Sequence, residues 1–543
     1  MGGASWGRST MRRLSWLLAL AALAGCKPED PPAANGGPAA GGSAQENRIA
    51  QARKLLAEAG YADGKGFPTI EFLYSTSETN KKIAAALQSM WKTGLGVEVA
   101  LVNTEWKTYL DRLSKMDYQF GLRGWIGDYN DPNTFLDMFM TGSGNNNTGF
   151  SNDEYDELIR KANAEPDKDE RRAMLERVEE ILMTELPISP INFYVSQQMR
   201  KPYVKGWHSN LQSIHPLKSA YREDGQTLVI NNNAEIQTLD PGIARGVPEH
   251  RVQIGLYEGL LNYHPETSEP IPGAAERWEV SPDQRTYTFH LRECRWSDGK
   301  PVTARDFEYA WRRVLDPATP TDYAYQLFYI KGGRAFREGT SIDPRSIGLA
   351  CRDDRTLVVE LENPCAFFLN LMPFFTYYPV RKDIVERHGT RWTLPENLVC
   401  NGAFRVVERV TNQHLILEKN PEYWDAANVR QQRIKFLPID TVSTAFSKYD
   451  AGECDIITSV PLEFIRKLQT QPDFYAHNYL GTSYFSFNVT RPPFRDAKVR
   501  RAFALAVDRE TLCENILKGG QKPAYNYVPT SFPGFRHTRL DSR

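Results

Sequence analysis

Between residues 69 and 125 the chain alternates between two periodicities, and few folds accommodate that alternation. Residues 69–75, 97–102 and 118–125 carry the aromatic and aliphatic content of strands, whereas residues 80–92 and 105–115 space their apolar positions as helices do. Strand, helix, strand, helix, strand in that order predicts a βαβαβ unit on a parallel sheet, because parallel strands need a crossover and each helix supplies one. Sheets of this kind receive ligands beyond the carboxyl ends of their strands. Gly124, Trp125, Ile126, Gly127 and Asp128 stand at that end of the third strand. The glycines let backbone approach a partner closely, Trp125 offers a flat apolar wall, and Asp128 brings one negative charge. The stretch also reads as an ordinary turn, since Tyr129-Asn130-Asp131-Pro132 is turn chemistry in itself and Trp125 suits a core.

At the start, Arg12 and Arg13 precede an apolar run over 14–24 that closes on Leu23-Ala24-Gly25-Cys26. This is the pattern of a bacterial secretion signal with a lipobox, so residues 1–26 are expected to be processed and Cys26 to carry a lipid anchor. The run is too short to cross a membrane comfortably. Residues 27–45 are mostly Pro, Gly and Ala and predict a flexible tether. A first helix is expected from Glu46, with Ile49, Ala52, Leu55, Leu56 and Ala59 on one face. Further helices are expected over 153–164, capped by Ser151, and over 167–185 before Pro187. A strand should follow over 188–195. The pattern changes near Asp224, a new strand opens over 228–231, another covers 286–291, and Thr303 caps a helix. The tail over 536–543 reads as frayed.

The formal net charge of -1 gives no field that would draw nucleic acid or an anionic membrane surface. Six cysteines follow Cys26 in a chain bound for an oxidising envelope, and their 15 possible full pairings stay open. There is no P-loop, no dinucleotide fingerprint after a strand, no HExxH and no GxSxG, and the histidines lack metal-ligand spacing. No catalytic residue, metal site or cofactor is expected.

Longer stretches carry a resemblance. Residues 274–311, AAERWEVSPDQRTYTFHLRECRWSDGKPVTARDFEYAW, are similar to the signature of the family 5 extracellular solute-binding proteins of ABC importers. NTEWKTYLD from Asn103 and GWIGDYNDPNTFLD from Gly124 resemble its oligopeptide-binding branch. EIQTLDP from Glu235, NGAFRV from Asn401, NPEYWD from Asn420, PPFRDAKVRRAFALAVDRE from Pro492 and TNKKIA from Thr79 add to the likeness, which spans nearly all of 46–535. The order differs. In the family the EIQTLDP and WSDGKPVTA segments come first and the GWIGDYNDP segment follows, so the chain resembles a circular permutation or a fusion of two pieces.

The resemblance implies an α/β, two-lobed periplasmic-binding-protein-like fold of type II, in its three-domain variant and circularly permuted. One lobe would comprise 46–195 and 481–535. The first lobe would comprise 196–260, with the fused family termini, and 384–480, with a small extra domain over 261–383. It implies a monomeric receptor, lipid-anchored in the periplasm or cell envelope, that captures oligopeptides and hands them to an inner-membrane ABC permease. A murein peptide, dipeptide or metal chelate as solute, or an envelope chaperone or sensor without a transporter, are the alternatives. By the family's pattern Asp128 would receive the peptide α-ammonium, Trp106 and Trp125 would wall side-chain pockets, and Gly124 and Ile126 would offer backbone groups. Tyr323, Tyr479, Tyr484 and Glu235 would line the other side. Family peptide binders have a disulfide at the positions of Ile126 and Gly481, which is absent here. The groups that meet the peptide carboxylate also differ: the basic residue before Gly-Trp is shifted to Arg123, Leu113 replaces an Arg beside Arg112, and Asn80 replaces a His.

Overall fold

The expected βαβαβ unit forms as three parallel strands in the order Val99–Thr104, Ile70–Ser75, Phe120–Ile126, with Ile70 opposite Val99 and Phe72 opposite Phe120. This is the computed structural model of the chain; it describes residues 40–532 and 534–542. The signal peptide, Cys26 and the tether up to residue 39 lie outside the described residues. Helix Glu78–Leu95 joins the first two strands. Ser77 caps it by accepting from the Asn80 N–H, and Gly96 ends it in the left-handed conformation with φ 71°. Its Ile83, Ala84, Leu87, Trp91 and Leu95 recur every three or four residues and are buried. Trp91 packs its ring 5.2 to 5.5 Å from those of Phe72, Phe120, Phe485 and Phe503, and its Nε1 donates to the Phe503 carbonyl. That cluster fixes the parallel strands to elements from the far end of the chain.

Two long antiparallel strands, Ile188–Arg200 and Phe474–Phe487, extend this sheet. The carboxyl half of the second runs beside the third parallel strand, from Gly481 opposite Ile126 to Phe487 opposite Phe120. Its amino half, Phe474 to Asn478, pairs only with Met199 to Val195. At the other end Met199 and Arg200 meet Ile456–Ile457, which leads through Leu228–Asn231 and Arg433–Leu437 to His414–Lys419 and Phe404–Val410. Two multi-stranded regions are therefore joined by a two-stranded ribbon, bulged where Tyr479, Leu480 and Gly481 stand against Tyr194 alone. A separate antiparallel sheet in the order Ala275–Val280, Thr286–Leu291, Thr356–Glu360, Leu349–Asp353 lies within 261–383. Thr303 and Asp306 form a reciprocal capping box at the start of helix Ala304–Leu315.

Several expectations are corrected. The first helix begins at Ala40, not Glu46, because adding residues to a formed helix costs far less than starting one. The strand expected over 188–195 continues to Arg200, since Phe474–Phe487 supplies partners that local sequence does not reveal. Asn152 caps helix Asp153–Ala164, while the Ser151 hydroxyl pairs with that of Thr141. The cysteine pairings, left open by the sequence, resolve to none among the described residues: Cys294, Cys351, Cys365, Cys400, Cys454 and Cys513 are free thiols.

The tail is docked, not frayed. Leu540 is 0% exposed and its N–H donates to the Tyr525 carbonyl at 2.7 Å. Arg536 meets Glu176 at 2.8 Å, and the buried Glu179 accepts the N–H groups of Tyr527, Val528 and Thr538. No periodicity announces these contacts, because one buried leucine and charges far away in sequence make them. Leu540→Ala is expected to lower the unfolding free energy by about 2 to 5 kcal/mol in a denaturant titration. A change under about 0.5 kcal/mol, the range of ordinary surface substitutions, would show the tail to be loose.

Candidate functional site

The carboxyl end of strand Phe120–Ile126 opens onto a cavity of about 750 Å³. One wall comes from that strand, the loop to Asp128 and helix Trp106–Ser114; the opposite wall comes from residues 233–235, helix Val247–Leu256, Tyr323 and Phe374-Phe375. Tyr194 and Tyr479 close the side formed by the ribbon, their ring centroids 6.1 Å apart.

Ten of the twelve expected site residues line this cavity: Asn80, Trp106, Arg123, Gly124, Trp125, Ile126 and Asp128 from the first wall, Glu235 and Tyr323 from the second, and Tyr479 from the ribbon. Arg112 does not, because it points away to Asp117 and Glu71. Tyr484 does not either; it is fully buried behind Arg123, whose guanidinium carbon lies 6.0 Å from its ring centroid. Asn80 is held by donating to the Ser75 carbonyl and hydroxyl. Trp106 stacks on Tyr109, and its buried Nε1 has no partner, so a donor is available there. Trp125 is 8% exposed with Nε1 donating 2.7 Å to the Thr134 carbonyl, so it is core and wall at once. Glu235 is neutralised by Arg409 at 2.9 Å.

Sequence reasoning missed Tyr194, which makes two glycines necessary. A methyl group at Gly124 would collide with the Tyr194 hydroxyl, and one at Gly481 would sit 2.6 Å from its Cδ2. The glycine before Trp125 thus makes room for a protein ring as well as exposing backbone. Gln212 and Gln326 were missed too. Gln212 Nε2 donates to the Asp128 carbonyl at 3.1 Å, and Gln326 Nε2 donates to Asp128 Oδ2 at 2.8 Å. A lone glutamine gives no sequence signal until the fold brings it to a carboxylate.

Electrostatically, Asp128 is the anomaly. Among the described residues no Lys, Arg or His forms an ion pair with it. Burial, reinforced by the nearby negative charge of Asp137, raises its carboxyl well above the usual range, and the Gln326 hydrogen bond offsets only part of this. Asp137 itself is 4% exposed and pushed up to about 7 by burial, although the Tyr129 and Tyr329 hydroxyls donate to it. The cavity thus holds an enclosed carboxyl that lacks a cation. Among the described residues no cluster of His, Cys, Asp or Glu could hold a metal ion, and no helix is long and apolar enough to cross a membrane.

The family model described as bacterial extracellular solute-binding proteins, family 5 Middle, matches residues 20–147 and 269–541. The periplasmic oligopeptide-binding protein OppA of Salmonella typhimurium is 40% identical over 311 residues, covering 56% of this chain and 57% of that protein. The periplasmic murein peptide-binding protein MppA of Escherichia coli is 39% identical, covering 57% and 58%. Among solved structures, Haemophilus influenzae OppA in complex with RPPGFSPFR is similar at 34% identity and TM-score 0.56, covering 59% of this chain and 64% of that one. The murein tripeptide binding protein MppA of Escherichia coli matches at 38% and TM-score 0.56, covering 58% and 62%. The chain thus spans little more than half the length of the curated relatives it matches.

A carboxyl whose folded pKa lies above its unfolded one binds its proton more tightly in the native state, so its ionisation opposes folding as pH rises past the ordinary carboxylate range. Asp128→Asn should therefore raise the melting temperature of the ligand-free protein above about pH 6 and leave it nearly unchanged near about pH 4. Equal melting curves at both would show that the carboxyl is adequately solvated.

Proposed function

The chain belongs to the bacterial extracellular solute-binding proteins of family 5, and from that premise we propose that it captures oligopeptides outside the cytoplasm and delivers them to an ABC permease. Asp128 carries the reading. A carboxylate enclosed in a cavity and met only by neutral donors is costly to ionise, and a ligand cation removes that cost. A peptide's α-ammonium is such a cation at neutral pH. The adjoining backbone suits a peptide as well. Past Gly121, strand Phe120–Ile126 has a strand partner on one edge only, so Gly124 and Ile126 can receive an extended ligand as an added strand. Trp106, Trp125, Tyr323 and Tyr479 would then bracket side chains, with Arg123 toward the peptide's carboxylate and Asn80 beside it. The resemblance gave Arg112 and Tyr484 direct contacts, and this reading gives them none.

The reading includes a lipoprotein signal over 1–26, anchoring through Cys26 in the cell envelope, and action as a monomer without covalent chemistry on the solute. It also takes the chain as a circular permutation of the family plan, with 46–224 ahead of 225–535. In support, Gly225 with φ 72° turns the chain between Tyr221–Arg222 and Leu228–Asn231, and Arg222 anchors that turn on Asp224 and Asp455. Arg48 and Asp541, which the unpermuted order would bring close in sequence, are 3.4 Å apart.

Asp128→Asn should weaken peptide binding by about 3 to 5 kcal/mol, on the order of 10² to 10³ in affinity, by analogy with broken buried pairs. N-acetylating the peptide should cost as much, and the two changes should be strongly non-additive in calorimetric titrations. If acetylated and free peptide bind the unaltered protein equally, the oligopeptide reading is lost. Mass spectrometry of solute retained on gentle purification tests the same point, since a mixture of peptides is expected and a single non-peptide compound would overturn it. Small-angle scattering should show compaction on peptide addition, with the two-stranded ribbon as hinge; an unchanged radius would mean a rigid binder.

A further inference from the structure

The charges around the cavity do not balance, and the imbalance points to a class of peptide. Arg245 is matched by Asp322 at 2.6 Å and Glu235 by Arg409 at 2.9 Å. Glu105 caps its own helix, Asp440 is exposed at the margin, and His250 is neutral, its pKa pushed down to about 4 by burial and the adjacent Arg251 charge. His215 is likewise held neutral by burial. Glu105 and Asp440 also lack a counter-ion but are exposed to solvent, so three less exposed charged groups on the cavity remain without one: Asp128, Arg123 and Arg251. Arg123 has a buried Nη1 without an acceptor and is surrounded by the phenols of Tyr484, Tyr109 and Tyr118. Arg251, on helix Val247–Leu256, reaches only the neutral Asn232, through its carbonyl at 3.4 Å and its side-chain oxygen at 3.1 Å. Neither arginine forms an ion pair with any described residue.

A zwitterionic peptide with neutral side chains brings one ammonium and one carboxylate. Asp128 and one guanidinium use these, and the second guanidinium stays enclosed without an anion. Resting on the oligopeptide reading, we infer that the preferred ligand is an acidic peptide, whose terminal carboxylate is taken by Arg123 and whose side-chain carboxylate is taken by Arg251. The geometry favours this division. Arg123 and Asp128 share one wall, along the open strand edge where an extended backbone lies. Alternate side chains of that ligand project toward the opposite wall, where Arg251 stands. A planar guanidinium can grip a carboxylate through two parallel hydrogen bonds, which a glutamine side chain cannot provide in return.

The test is calorimetric titration of the full chain with alanine-based tri- and tetrapeptides carrying Glu, Gln or Lys at the second or third position. The best Glu peptide should bind about tenfold or more tighter than its Gln counterpart, with Lys weakest. In Arg251→Gln the Glu and Gln peptides should come within about twofold of each other. In Asp128→Asn all three should weaken together. Equal binding of Glu and Gln peptides to the unaltered protein overturns the inference and leaves the oligopeptide reading intact, as does a Glu preference that survives in Arg251→Gln. Failure of every peptide to bind removes the oligopeptide reading and this inference with it. The first comparison needs no variant, so misfolding of Arg251→Gln cannot shield the idea.

Discussion

The pairing of Ile188–Arg200 with Phe474–Phe487 is the constraint on which the rest of the molecule depends. Phe474–Phe487 pairs with Phe120–Ile126, and Ile188–Arg200 pairs with Ile456–Ile457, so the two multi-stranded regions are linked by hydrogen bonds along this one ribbon. The bulge at Tyr479 to Gly481 lets the ribbon bend without breaking either end, and it turns Tyr194 and Tyr479 into the cavity. The link between the two regions and one side of the cavity are thus one piece of backbone. A substitution that straightened the bulge would alter both together.

The cavity chemistry follows from what that arrangement leaves unmatched. Other buried charges differ in how they are met: Arg509 is wholly enclosed yet donates to four backbone carbonyls and a serine, and Asp240 is gripped by Arg313, whereas Asp137 and Glu249 form no ion pair with any described residue. Asp128 differs from those two carboxyls in that it lines the cavity. On the proposed reading, burial makes ionising Asp128 costly and a ligand cation bound there would remove that cost.

The parallel unit was legible because its signals are local: period 3.6 in the helices, apolar strands between them, and a glycine at a helix end. The loop from Gly124 to Asp128 was legible for the same reason, since it follows the last of those strands. What escaped were features made by partners distant in the chain. Leu540 looks like any leucine near an end, and Gln326 and Tyr194 acquire meaning only against Asp128 and Gly124. Arg251 is one arginine among many until its lack of a carboxylate can be seen. The two displaced residues teach about direction. On the second ribbon strand Ser483 faces the cavity, so its neighbour Tyr484 faces away. On helix Trp106–Ser114 residues 106, 109, 110 and 113 share the cavity face, which leaves Arg112 on the other side. A resemblance assigns positions, whereas alternation and helical pitch decide where side chains go.

Strand Phe120–Ile126 is made early in synthesis, but its neighbour Phe474–Phe487 comes near the end of the chain, and the Arg48 contact to Asp541 joins residues 493 apart. Until that late segment emerges, one edge of the parallel sheet has no partner. Contacts of such long sequence separation slow folding, and an unpaired edge exposed meanwhile invites association with other chains. The parallel sheet therefore gains its partner strand on the Phe120–Ile126 side only when residues 474–487 have been made.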